Sequence, residues 1–174
     1  MSGLNFLKRA KYEIIIPRGS TLKEIYFIRK GLVRSYSDAQ TPDEEEITYQ
    51  LFPENNIFAN THTIILKESC RFSFEALEPT KVYVIDYEHF VDATSKDLNL
   101  LNMNRTFMGK RLMKQAFQRI GSFVFLTPEE RYKKYIKDYP NVVNRAPNKY
   151  IAHVLGITPT SLSRIRKRIA TKKN

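Results

Sequence analysis

From Tyr12 to Ile85 apolar and polar positions alternate in short runs cut by turn signals. Glu13-Ile-Ile-Ile16 stops at Pro17-Arg-Gly19, and Glu24-Ile-Tyr-Phe-Ile28 ends at Lys30-Gly31. Leu32-Val-Arg-Ser-Tyr-Ser37 resumes with alternating sidedness, followed by Ile47–Phe52, Phe72–Leu77 and Lys81–Ile85. Period-two runs of β-branched and aromatic residues predict half-buried strands. Strands this short, at regular spacing, predict an antiparallel sandwich or jelly roll. Asp38 to Glu45 is a polar connection, and the acidic run Asp43–Glu46 reads as a solvated hairpin loop.

Beyond Ile85 the period lengthens. Tyr87 to Ala93 fits a short helix, and Ser95 is a plausible N-cap for a long one running to about Phe125. The long helix carries two apolar stripes. Leu100, Met103, Phe107, Phe117, Ile120 and Val124 form one, interrupted by Lys110 and Lys114; Leu101, Met108, Leu112 and Ala116 form the other. A surface helix on one domain needs a single buried stripe. The second therefore predicts a symmetry-related copy, with Leu101, Met108, Leu112 and Ala116 at the homodimer interface. The alternative is that both stripes pack within one chain. Thr127-Pro-Glu-Glu130 then starts another helix, with Thr as N-cap, Pro at the first position and Glu closing a capping box. It stops before Pro140, and Pro147 breaks the chain again. The expected class is α+β: a β jelly roll, a long helix and a small all-α C-terminal domain.

The last thirty residues hold the sharpest motif. Ala152 precedes Gly156 by four positions, and Leu162 and Ile165 follow it on a second amphipathic segment rich in Arg. The small Ala permits close approach, Gly makes the turn, and Ile151, Leu155, Ile157, Leu162 and Ile165 fill the space between two helices. Such a helix-turn-helix offers its second helix to a DNA major groove. With Leu162, Ile165 and Ile169 inward, Thr160, Ser161, Arg164 and Arg168 project outward. Arg164 is the candidate for a bidentate guanine contact, which supplies about 1–3 kcal/mol of discrimination. Thr160 and Ser161 suit bases or phosphate. Arg166, Lys167 and Arg168, with Lys172 and Lys173, suit phosphates. Thr158 and Lys149 stand at helix N-termini, where backbone N–H groups also favour phosphate.

Charge agrees with that reading. The net charge is +11, and residues 105–174 carry 17 Lys or Arg against 3 acidic residues, so residues 1–104 are slightly acidic. A cationic C-terminal part attracts phosphate through Coulomb energy and counterion release. A second reading gives this basic part RNA or an acidic protein as its partner. No nucleophile–base pair or phosphate-cradling Gly loop is visible, and an enzyme is not expected. Cys70 is alone, which excludes an intrachain disulfide and an all-Cys cluster within one chain. His62, His89 and His153 show no ligand spacing, so no metal is expected. No apolar run approaches the roughly 20 residues that span a bilayer, and the N-terminus lacks a leader pattern. The expected location is the cytoplasm, with no membrane partner.

The order of parts resembles the Crp/Fnr family of bacterial transcription regulators. Ile25-Tyr-Phe-Ile-Arg-Lys-Gly-Leu-Val-Arg34 is similar to that family's strand and turn, and Phe72–Glu78 and Leu126–Tyr132 add to the likeness. The block Lys149–Arg166 is especially similar to its Bacteroidetes branch. The resemblance implies a cyclic-nucleotide-binding-like sensor over 1–95, a dimerisation helix over 96–126 and a helix-turn-helix domain over 127–174. It implies a homodimer on a near-palindromic site in double-stranded DNA, with RNA polymerase as a further partner. Members that bind cyclic nucleotides carry a Gly-Glu pair and, after a loop, Arg followed by Ser or Thr. Here Ala59 and Asn60 stand at the first pair, and Arg71 is followed by Phe72 and Ser73. These five are the candidate ligand positions. The ribose anchor is missing, so cyclic AMP is not the expected cofactor and any other effector is left unnamed. Pro159-Thr160 stands where many relatives have Arg-Glu, so their operator preference does not transfer.

Overall fold

The computed structural model of the chain describes residues 4–37 and 46–171; the side chains of residues 103–108 and 111–112 are outside that description. Eight strands form two four-stranded antiparallel sheets. They are β1 (Leu4–Arg9), β2 (Ile14–Ile16), β3 (Glu24–Lys30), β4 (Val33–Ser37), β5 (Ile47–Phe52), β6 (Ile57–Ala59), β7 (Ser73–Ala76) and β8 (Thr80–Asp86). One sheet has the order β1-β8-β3-β6 and the other β2-β7-β4-β5, a jelly-roll sandwich. Two of these strands, β1 and β6, were not among the predicted runs. β6 is three residues long and is held by pairing with β3; β1 lies on the edge, paired only to β8.

Alternation places Val82 and Val84 of β8 inside, against Tyr26, Ile28, Phe52, Phe58 and Phe74. This apolar interior is the sandwich core. β4 breaks the usual rule for an antiparallel strand, because Val33 through Tyr36 are all buried. Its outer face is covered by the C-terminal helices, so both pleats are shielded. Between Ser35–Gln50 and Tyr36–Thr48 the β4–β5 register shifts, leaving Tyr49 as the extra residue of a bulge. A bulge bends its strand and re-aims a side chain. Tyr49 turns out of the sheet and stacks on Phe72 at 4.8 Å between ring centres.

Five α-helices follow or flank the sandwich: α1 (Tyr87–Ser95), α2 (Leu98–Phe125), α3 (Pro128–Asp138), α4 (Asn148–Leu155) and α5 (Pro159–Thr171). A single π-helical turn spans His62–Leu66. The N-cap of α2 is Asp97, whose carboxylate accepts from the N–H groups of Asn99 and Leu100. Ser95, the expected cap, instead closes α1. Both residues have capping side chains, and the carboxylate also opposes the helix dipole. The capping box at Thr127 and Glu130 is present as the sequence indicates. No described helix is long and apolar enough to cross a membrane.

The described side chains of α2 divide between two faces. Ala116, Arg119 and Phe123, at i, i+3 and i+7, face the cavity beside the sandwich. Met113, Phe117, Ile120 and Val124 lie on the opposite side and are 53–66% exposed. Ala116, placed by the sequence at a dimer interface, borders that cavity and is exposed. Leu101 is half-buried, while Met108 and Leu112 fall outside the described side chains. The acidic run lies mostly outside the described residues; its last member, Glu46, pairs with Arg34.

Candidate functional site

A second apolar cluster joins the C-terminal helices to the outer face of the sandwich. Ile151, Ala152, Leu155, Leu162 and Ile165 pack with Tyr132 and Val142, and against Leu32, Leu51 and Leu77 of the β-rich part. Ala152 is wholly buried, which fits its role as the point of approach. Gly156 ends α4 in the left-handed region (φ 65°), and its N–H bonds back to Ala152 and His153. A Cβ there would meet the Phe123 ring at 2.5 Å. Glycine is therefore required twice over, for the turn and for the space.

On α5 the buried stripe is Leu162 and Ile165, with Ile169 half-buried. Thr160, Arg164 and Lys167 are exposed on the other side. Thr158 caps the helix: its Oγ1 accepts from the Ser161 N–H at 3.1 Å and lies 2.9 Å from the Ser161 hydroxyl. Those two hydroxyls are thus engaged with each other. Arg168 is exposed but pairs with Glu129 of α3. Lys149 is exposed at the start of α4. Arg166 departs from expectation. Its Nη1 donates to Asn148 Oδ1 at 2.7 Å, and its guanidinium lies 5.5 Å from the Tyr132 ring centre. It follows Leu162 by four positions and precedes Ile169 by three, so it belongs to the flank of the buried stripe. Arg166 is a clamp between α3, α4 and α5 rather than an outward cation. Lys172 and Lys173 lie outside the described residues.

Three groups that the sequence did not single out fasten these helices to the sandwich. Arg145 forks onto two carboxylates, with Nη1 and Nη2 each 2.8 Å from Glu54 and Nε 3.1 Å from Glu78. The Arg145 hydrogen bonds hold the Glu54 carboxyl down at about 2, with the Gly31 N–H assisting and partial burial opposing. Arg34, buried on β4, binds Glu75 and Glu46, and its guanidinium lies 3.9 Å from the Tyr36 ring and 4.4 Å from the Tyr150 ring. Burial works against its charge, but the two carboxylates outweigh that and raise its pKa. The Thr48 N–H donates to His153 Nδ1 on α4 at 3.2 Å. These partners are far apart in sequence, and no local spacing marks them.

The five candidate ligand positions divide. Asn60 is almost fully buried and spends its amide inside the fold, donating to the Ser20 carbonyl at 3.0 Å and accepting from the Thr63 N–H at 3.2 Å. Arg71 points to solvent and pairs with Glu68 at 3.0 Å, its side chain 67% exposed. The Ser73 hydroxyl accepts from the Arg18 N–H at 3.1 Å. Only Ala59 and Phe72 line the cavity. That cavity, of about 370 Å³, lies between the sandwich, the second half of α2, and α3. Arg119 stands over Tyr49 and donates to its carbonyl at 3.1 Å. Arg131 donates to the carbonyls of Leu155 and Leu126 at 3.1 and 2.8 Å and covers the Phe123 ring. Cys70 is buried in the sandwich core, and burial pushes its thiol up. Among the described residues no three His, Cys, Asp or Glu side chains converge as a metal set.

Solved structures share this architecture. FixK2 from Bradyrhizobium japonicum superposes with a TM-score of 0.80 at 18% identity, covering 98% of this chain and 86% of that one. A CooA variant from Carboxydothermus hydrogenoformans gives 0.70 at 18%, covering 97% and 77%. A chain described as a transcriptional regulator of the Crp/Fnr family, from Eubacterium rectale, gives 0.68 at 14%, covering 97% and 79%. At these identities the likeness speaks for the fold. No curated protein matches the chain. Residues 7–97 match the family model described as the cyclic nucleotide-binding domain. That span is more than half of the sequence and holds the second half of β1 and the other seven strands, so the chain belongs to the cyclic nucleotide-binding domain family.

Proposed function

We propose that the protein is a regulator of the Crp/Fnr type that binds duplex DNA as a homodimer. In this reading α4 and α5 are a helix-turn-helix and α5 is the recognition helix. The observation that carries it is the two-sided character of α5. Leu162 and Ile165 are buried against α4 while Thr160, Arg164 and Lys167 stand in solvent on a positively charged surface. An exposed cationic helix held by a small apolar wedge suits the major groove. Residues 1–95 would act as sensor, 96–126 as dimerisation helix and 127–174 as DNA-binding domain. The block Lys149–Arg166 supports placement in the Bacteroidetes branch. RNA polymerase would be the further partner of a regulator of this kind, and the cytoplasm its place of action.

The dimer contact runs along the outer stripe of α2. Met113, Phe117, Ile120 and Val124 follow the 4-3-4 spacing of a coiled-coil seam and are all exposed. Four large apolar residues in one line on a helix call for a cover. Cyclic AMP is not the effector in this reading. Asn60 is committed to Ser20 and Thr63, and Arg71 points away from the cavity. Fragments selected from a genomic DNA pool, then titrated by fluorescence anisotropy, test the proposal. The expected result is a short near-palindromic site whose affinity falls steeply between about 50 and 200 mM salt, as counterion release requires. Equal binding to single-stranded RNA of unrelated sequence would defeat it.

A further inference from the structure

We infer that the outer face of the β1-β8-β3-β6 sheet binds single-stranded DNA, seating bases on a row of rings and phosphates beside a row of lysines. Side chains directly opposite each other on neighbouring antiparallel strands share a face. The register puts Phe6 of β1 opposite Tyr83 of β8, and Tyr83 opposite Phe27 of β3. Two residues along, Lys8 is opposite Lys81, and Lys81 is opposite Lys30. Both rows look away from the core, because Leu7, Val82, Val84, Tyr26 and Ile28 occupy the inner side of the same strands.

The rings are open to a flat partner. Phe6 is 46% exposed, Tyr83 and Phe27 are half-buried, and the Phe6 and Tyr83 ring centres lie 5.3 Å apart. Neighbouring rings on a sheet accept unstacked bases. Such stacking tolerates any sequence, since every base has a π-face. A duplex keeps its base faces inside the stack, so only an unpaired strand can use this surface.

Charge selects a polyanion over an apolar partner. Lys8, Lys30 and Lys81 are exposed, and none of them meets a carboxylate among the described residues. Glu54, which accepts from the Gly31 N–H, and Glu78 are both engaged by Arg145. Glu24 of β3 turns to the inner side and accepts from the Tyr26 hydroxyl. Like charges directly opposite on neighbouring strands repel, and an anion lying among them relieves that repulsion. Two residues along a strand span roughly 6.7 Å, the scale that separates base from phosphate within one nucleotide. Apart from the Tyr83 hydroxyl, the two rows hold only rings and ammonium groups, with no other acceptor to single out a ribose 2′-hydroxyl. The occupant is therefore DNA rather than RNA. The inference concerns the sheet and stands whether or not α5 reads duplex DNA.

The test uses the full chain and a fluorescein-labelled oligothymidylate of about twelve nucleotides, within the usual range of single-strand sites. Anisotropy should show saturable binding that weakens with salt. Phe6→Ala combined with Tyr83→Ala should weaken it at least about tenfold, with the circular dichroism spectrum retained. Phe6→Tyr should bind as wild type does. Lys8→Gln combined with Lys81→Gln, at exposed positions that do not threaten folding, should lower the slope of log affinity against log salt by about 1.4, as loss of two single-strand phosphate contacts requires. Arg164→Ala, on α5, should leave the affinity within about twofold. A ring variant that binds like wild type, an unchanged salt slope in the lysine variant, or a large loss in Arg164→Ala would overturn the inference. So would oligouridylate, oligoglutamate or phosphatidylglycerol vesicles bound at least as tightly as the oligothymidylate. Failure here leaves the duplex reading standing, because no duplex enters the experiment.

Discussion

Single side chains on α5 separate into exposed cations and a clamp. Arg164 is exposed, whereas Arg166 is folded back onto Asn148 and Tyr132. The two neighbours should therefore fail in different ways when truncated. Arg164→Ala should lose about 1–3 kcal/mol of preference for the selected site over a scrambled one, with weak salt-dependent binding retained. Arg166→Ala should keep its preference and lower the melting temperature, since it removes a link among α3, α4 and α5. Anisotropy on both duplexes and thermal melting distinguish the outcomes; a swap of the two phenotypes would refute the assignment. Glu54 gives a second test at this scale. Its folded pKa of about 2 lies below the usual 4.5, so its contribution is complete above 4.5 and is lost as pH falls towards 2. Wild type should lose melting temperature across that window more steeply than Glu54→Gln, which lacks the titrating group. Parallel curves would show that the Arg145 fork does not stabilise the docked helices.

Elements show what local pattern reveals and what it hides. The predicted runs of the sandwich, the Thr127 capping box, the Pro140 stop and the Gly156 turn were legible because each depends on neighbours within a few residues. β6 was not, because three residues become a strand only through Phe27, Tyr26 and Ile25 of β3. The two stripes of α2 were both visible, but not the surface that each would meet. Periodicity says that two faces are apolar; it does not say which one meets the sandwich. The contact of α2 with the sandwich includes Arg119 on Tyr49, the bulge residue, and that bulge is a property of β4–β5 pairing rather than of α2. The exposed seam yields its own prediction. Phe117→Glu combined with Ile120→Lys should convert a dimer into a monomer in analytical ultracentrifugation and keep the helical content. Ala116→Glu, beside the cavity, should not. A dimer that persists in the double variant would move the interface elsewhere.

At the scale of the whole molecule, the division into sensor and reader is less sharp than charge alone suggests. Residues 105–174 are basic and residues 1–104 slightly acidic, yet the two share an apolar cluster that includes Leu32, Leu51 and Leu77 on one side and Ile151 and Leu155 on the other. Opposite charge supports the contact: Arg145 reaches Glu54 and Glu78, and Arg34 is sandwiched beside Tyr150. The candidate site was thus half visible. The exposed side of α5 could be read from i, i+3 and i+7 spacing, while the cavity needed strands of both sheets and three helices to converge. Its lining residues run from Ser35 to Leu155, and nothing in their spacing announces a chamber.

Arg131 grips the carbonyl ends of both α2 and α4, and His153 and Arg145 hold the same bundle to the sandwich. Widening of the gap at Tyr49 would therefore arrive at α5 as a tilt, as in a crank, rather than as melting of a hinge. In the proposed DNA-bound dimer, the angle at which two such helices would meet their grooves is the adjustable quantity, and swelling at the jelly roll would become torque on the double helix.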